Sequence, residues 1–451
     1  MKGIDMTRGA ILRQLMVFAA PLVLGNLFQQ TFNAIDAVIV GNYISTNALG
    51  AVGASGPIIN ILISFFMGAS GGAGVLISQH FGAQNAAELK HTMHTAVVLS
   101  IILGVALSAL GVAFSPVLLR LMQTPEELMP DATLYLRIYF TGLTGITVYN
   151  MGAAIITAMG DSKRPLYLLI FSCILSVAIK LLLVFAFETG IAGIAYATAV
   201  SQVVCALLVI LLLCRQSPEQ RLNLRQLRIV RHILKDIVRI GLPGGIQGMI
   251  VAGSNVVVQS YVNRLGALVV AGYSASSRAD AFIMMPISGI ALAASTFVGQ
   301  NLGAGNVRRA RDGVRVSMAL GLAITAVLSV IVYVFARDIL RVFTPDASVI
   351  EHGMDFMRVF VPCYFVLCFT QILPGALRGA GDVKFATMAC VGSFVFLRQI
   401  YLFFATKILY NPVTVAIGYP ATWTVAAILI AIYYIRSDWS GFGKRKINAA
   451  N

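Results

Sequence analysis

Five charged side chains fall inside long apolar stretches: Asp36, Lys180, Arg278, Asp280 and Arg398. A charge within a membrane-spanning helix is costly, so such residues mark ion or substrate paths. Asp36 has the most polar company. Asn26, Gln29, Asn33 and Asp36 are spaced by three, four and three residues, which puts them on one helical face. Pro21, earlier in the same stretch, removes a backbone donor and invites a bend, a hinge in a helix that would otherwise be straight. A bent helix whose polar stripe ends in an acid reads as the wall of a transport cavity. The competing reading makes Asp36 a structural acid beside a fixed arginine. Lys180 either faces Asp36 or snorkels to the outer interface. Arg398 either serves a cavity or ties helix-end carbonyls. Arg278 and Asp280 do not share a helical face, so each needs a partner on another helix.

The elements that must carry these residues are helices. Of 451 residues, 58% are hydrophobic and 11% charged, with a mean hydropathy of +0.85. Soluble domains carry about 25% charged residues, so most of this chain belongs in lipid. The apolar runs predict twelve spans, near 14–42, 48–78, 93–114, 132–159, 165–187, 191–213, 240–263, 267–299, 314–336, 356–377, 384–408 and 414–436. The net charge of +15 is distributed between spans, which argues for membrane orientation rather than nucleic acid. Most Lys and Arg lie on the side of the termini, including the seven of the 214–239 connection. The opposite side holds Arg120, Arg137, Arg264, Arg337, Arg341, Arg358 and Lys407. The positive-inside rule therefore predicts a multi-pass protein of the cytoplasmic membrane with both termini in the cytoplasm. No cleavable signal peptide is expected.

The chain also repeats itself. Asn33 meets Asn255 at an offset of 222 residues. Gln84-Asn85 meets Gly305-Asn306, and Gly160-Asp161-Ser162-Lys163 meets Gly381-Asp382-Val383-Lys384, at 221. Six spans per copy give parallel repeats, and transporters bind substrate between such halves. The expected division is an N-lobe over 1–213, an amphipathic cytoplasmic linker helix over 214–239, a C-lobe over 240–436 and a cytoplasmic tail over 437–451. The fold class is thus an all-α integral membrane protein of twelve helices in two six-helix lobes.

The stretch PLVLGNLFQQTFNAIDAVIVGNY, the loop QHFGAQN, its second copy FVGQNLGAGN and the turn ALRGAGD resemble the multidrug and toxic compound extrusion family. The resemblance covers nearly the whole chain. It implies two lobes rocking between outward-open and inward-open states, and export of organic molecules against entry of H+ or Na+. It makes Asp36 the coupling acid of the N-lobe. Many relatives carry an Asn and an Asp, four residues apart, on the fifth helix; here Ser176 and Lys180 occupy those places. Residues 241–263 of the seventh span have no carboxylate, only Gln247, Asn255 and Gln259 on one face. Arg278 and Asp280 in the second half, with Arg398 in the eleventh helix, are similar to the branch relying on the first-helix acid alone, which implies H+ rather than Na+ as coupling ion.

Other chemistry finds little support. His91 and His94 share a helical face but lack an HExxH context or a third metal ligand. No Walker sequence is present, and no nucleophile or metal set converges for a membrane-embedded lipid enzyme. Tyr139, with Tyr135 and Tyr149, either stacks on a planar substrate or packs in the core. The reading is a non-enzymatic, cofactor-free exporter, monomeric in the bilayer, acting on small organic substrates. A flippase of lipid-linked saccharides stands as the alternative, because the deep charges sum to a net positive balance that leaves anionic substrates open.

Overall fold

The computed structural model describes residues 3–43 and 46–441, without the side chains at 33, 34, 37, 38, 41–43, 46, 47 and 49. The candidate Asn33 therefore lies outside the described side chains, and residues 442–451 of the expected tail lie outside the described chain.

The described residues are helical apart from short connections. In order, the helices are the first (Ile11–Tyr43), second (Thr46–Gly82) and third (Ala86–Leu121), then a fourth in two pieces (Met129–Thr141 and Leu143–Ala158). The fifth (Lys163–Leu181) runs into a π-helical segment (Leu182–Ala186), and the sixth is Gly190–Cys214. The second copy follows with the seventh (Arg231–Asn263), eighth (Ala267–Gly303) and ninth (Val307–Val334). The tenth is built from Ala347–Phe360 and Tyr364–Ala380 joined by a 3-10 turn. The eleventh holds a π-helical segment (Gly392–Leu397) between Lys384–Val391 and Arg398–Ile408, and the twelfth is Pro412–Arg436. Eleven are long and apolar enough to cross a membrane. The fourth supplies the twelfth crossing in two shorter pieces.

The repeat seen in the sequence is also a repeat of backbone. Gly160 and Gly381 both take left-handed conformations, with φ of 90° and 83°. Each donates its N–H three residues back, to Thr157 O at 2.9 Å and Arg378 O at 2.8 Å. Such a turn closes a helix C-terminus and favours glycine, which has no Cβ to clash. Gln84 and Gly305 form the second matched pair, at φ of 54° and 76°.

The chain forms two compact units, 1–4 with 24–245 and 5–23 with 246–451. These are not the lobes cut at the linker. Each unit holds the opening segment of the other copy's first helix, and each boundary falls just after a proline, Pro21 or Pro243. In the first unit, Gly68 and Gly72 let the second helix approach the backbone of Gly245 and Gly241, where any Cβ would collide. This is close packing through small residues. In the second unit Gly289, the repeat partner of Gly68, faces Val23, whose side chain a Cβ would strike. The core of the first unit runs through Val40, Phe66, Leu136, Tyr139 and Ile194. That of the second runs through Val298, Leu373, Ala426 and Trp439.

The 214–239 connection is not one amphipathic helix. Its first part is irregular, with a short 3-10 turn at Leu224–Gln226, and the seventh helix begins at Arg231. Pro218 cannot donate a helical hydrogen bond. Asn223 spends its side chain on the N–H of Arg225 and gives its own N–H to His94 Nε2 at 3.1 Å. Val230 N donates to Thr95 Oγ1 at 3.1 Å. The segment is thereby fastened to the third helix, and Leu222 is buried. The start of the expected tail is also packed: Trp439 stacks on Tyr434 and is buried.

Candidate functional site

The first unit joins an acid of the first helix to a base of the fifth. Lys180 Nζ lies 2.6 Å from Asp36 Oδ1 and 2.6 Å from Oδ2, so one ammonium engages both oxygens. The Lys180 side chain is 0% exposed and that of Asp36 25%. Phe32, one turn before Asp36, presents its ring 4.5 Å from Nζ. The ring favours the cation without taking a hydrogen bond. Lys180 is the last residue but one of the regular part of its helix, which passes at Leu182 into the π-helical segment. Such segments re-aim side chains and recur at functional positions. Ser176, one turn earlier on the same face, is buried and its hydroxyl has no hydrogen-bond partner among the described residues. Asn26 is half-buried and Gln29 exposed.

The second unit carries a different version of this arrangement. Arg398 follows the eleventh helix's π-helical segment and is 3% exposed. Its Nη1 donates to Asn255 Oδ1, and its Nε and Nη2 to Thr422 Oγ1, each at 3.3 Å. The Tyr419 ring lies 4.3 Å from the guanidinium carbon and the Phe394 ring 5.5 Å. Ser254 Oγ donates to Phe394 O at 3.1 Å and accepts from Gln399 Nε2 at 2.9 Å, which fixes the seventh helix against this segment. Gln259 is spent locally on Asn263, at 2.8 Å.

The remaining candidates separate. Arg278 is exposed and joins no ion pair among the described residues. Asp280 points at the Tyr364 hydroxyl, with Oδ1 buried and unbonded among the described residues. Tyr139 is buried beside Tyr135, ring centroids 6.3 Å apart, in the core of the first unit. It packs; the stacking surface expected for a substrate is not exposed there. His91 Nε2 bonds Arg228 at 2.9 Å, so both third-helix histidines hold the connection.

Four contributors were not singled out from sequence: Phe32, Tyr273, Tyr419 and Thr422. The signal for Phe32 was its place four residues before Asp36. Tyr419 and Thr422 share a helical face three residues apart, and Tyr273 reaches Tyr419 by a 2.7 Å hydroxyl contact.

The MatE family profile matches twice, over residues 21–182 and 243–403, the two copies of the repeat. The chain belongs to the MatE family. It is 30% identical to the probable multidrug resistance protein YpnP of Bacillus subtilis (strain 168) over 88% of this chain and 89% of that one. It is also 30% identical to the probable multidrug resistance protein YoeA of the same organism, over 95% and 94%. A solved structure described as the outward-facing conformation of a multidrug resistance MATE family transporter superposes with a TM-score of 0.89. It covers 100% of this chain and 98% of its own, at 22% identity, a likeness of fold. The protein is a multi-pass membrane transporter of small molecules, and membership of a transporter family places it apart from enzymes.

Proposed function

We propose that this MatE protein is a secondary exporter of organic small molecules, driven by proton entry, with Asp36 as the coupling acid and Lys180 as its counter-ion. The observation that carries the reading is the two-oxygen contact of Lys180 on Asp36 within the first unit. Drug export is supported by relatives described as multidrug resistance proteins.

Protonation of Asp36 removes one charge of the pair, so Lys180 loses the contact that holds it and the first and fifth helices are free to rearrange. Deprotonation restores the pair. Substrate release and rebinding then follow the two charge states, and rocking-type alternating access links them, with Pro21 as the hinge. Na+ is the poorer coupling ion. It would need oxygens already held by an ammonium, and two unit charges 4 Å apart repel by about 4 kcal/mol at an effective dielectric constant of about 20. This reading places the chain in the branch that relies on the first-helix acid, as a monomer in the cytoplasmic membrane with both termini in the cytoplasm.

The test is dye movement in proteoliposomes under an imposed pH gradient or an imposed Na+ gradient, with anionic, neutral and cationic dyes. Transport that answers to the pH gradient alone is the expected result. Transport that requires Na+ would overturn the coupling assignment.

A further inference from the structure

Asn255 and Arg398 form the second unit's version of the Asp36–Lys180 pair, displaced by one helical turn. The repeat would place the counterparts of Asp36 and Lys180 at Val258 and Tyr401; Asn255 and Arg398 each come three residues earlier. One feature of the pair is not repeated. Lys180 meets a carboxylate at 2.6 Å, whereas Arg398 meets a neutral amide at 3.3 Å.

Arg398 is nonetheless buried, and among the described residues it has no carboxylate within ion-pair distance. Asp280, the other deep charge that packs near Tyr419, is directed to Tyr364 instead. A guanidinium has five N–H donors in a planar fork. Three are used here, on two acceptors, and one hydrogen on each Nη has no acceptor among the described residues. The 3.3 Å contacts are long beside the 2.7–2.9 Å usual for charge-assisted bonds to a carboxylate. The Tyr419 and Phe394 rings favour the cation without taking up its two remaining N–H groups. Asn255, whose Oδ1 accepts from Nη1, is exposed, so the pair has one member at the surface of the unit.

We infer that Arg398 and Asn255 bind the carboxylate of an organic anion. The two oxygens of that group match the fork, Asn255 offers an amide N–H once its oxygen has bonded Nη1, and binding supplies the missing counter-charge. The site belongs to the second unit alone. That a bound anion is also transported rests on the exporter reading above.

The probe is benzoate, with benzylamine as a cation of similar shape, added to protein purified in a nonionic detergent. The readouts are thermal unfolding and the fluorescence of Trp423 in a Trp439→Phe background, since Trp423 lies 5.9 Å from the Tyr419 ring. Benzoate should stabilise the protein and change the fluorescence saturably, and benzylamine should do neither. Arg398→Gln should weaken benzoate at least about tenfold, as expected for loss of a charge-assisted pair. Asn255→Asp should do the same while keeping the guanidinium, because it places an internal counter-ion at Nη1; it carries the test if Arg398→Gln fails to fold. Arg341→Gln, which removes an exposed charge of the same unit, should leave benzoate affinity unchanged. No benzoate binding to the wild type, equal binding of benzylamine, or unchanged affinity in Asn255→Asp would overturn the site. Those results leave the exporter reading intact if gradient-driven dye efflux persists. Benzoate binding in a protein without such efflux would sink the exporter reading and keep the site.

Discussion

Lys180 holds both carboxylate oxygens of Asp36 at 2.6 Å from a position fully shielded from solvent. The contact joins the first helix to the fifth inside one compact unit. Under the proposed coupling, protonation of Asp36 gives the unit a second charge state in which this contact no longer holds the helices together.

Breaking the pair from one side should cost stability. Lys180→Ala leaves a largely buried carboxylate without its cation, and loss of one partner of a buried pair costs roughly 3–5 kcal/mol. Thermal unfolding in detergent should show a clear fall for Lys180→Ala. The double variant Asp36→Asn/Lys180→Met should recover much of it, since neither charge remains. Equal losses in the single and double variants would contradict the pairing.

Replacing the cation by an acid should change ion preference. Lys180→Asp puts two carboxylates together, an arrangement that attracts a hard cation through oxygen ligands. Dye efflux by this variant, and not by the wild type, is expected to respond to Na+. The comparison of initial rates with and without Na+, at fixed pH, decides it.

The connection after the sixth helix reports the orientation. Ser217 is exposed in its irregular part. A single cysteine at Ser217 in a cysteine-free background should react with an impermeant maleimide only from the cytoplasmic side. Labelling in intact cells would reverse the assigned topology.

The close approach of the second helix to the seventh in the first unit should tolerate no side chain. Gly68→Ala forces a methyl into the backbone of Gly245, whereas Gly53 has open space around it. Overpacking of this kind costs about 1–3 kcal/mol or more. Gly68→Ala should lower the unfolding temperature well below that of Gly53→Ala, and similar values for both would show that the helices yield without cost.

Much of this was legible in the sequence because the bilayer imposes helix length and internal hydrogen bonding. The twelve spans and the repeat follow from runs and offsets; depth alone left Lys180 either facing Asp36 or snorkelling to the interface, and only the family resemblance implied that the first and fifth helices meet. What was not legible depends on partners brought from elsewhere in the chain. The linker's leucines and basic residues have helical spacing, but His94 and Thr95 of the third helix take its backbone donors. Tyr139 has a polar tip compatible with a cavity, yet its helix turns it into the core. The π-helical segments leave no period in the apolar pattern, although they adjoin both buried cations. The pairing of Arg398 with Tyr419 and Thr422 needed the packing of the eleventh helix on the twelfth, which periodicity does not specify.

The most direct test of Asp36 as the coupling acid is uphill dye movement driven by a pH gradient in proteoliposomes, wild type against Asp36→Asn at matched protein levels. The amide keeps the shape and can still accept a bond from Lys180, much as Asn255 does from Arg398, so the variant should fold and insert. Uphill movement by the wild type without Na+, and none by Asp36→Asn, is the expected result. Wild-type rates in Asp36→Asn would contradict it.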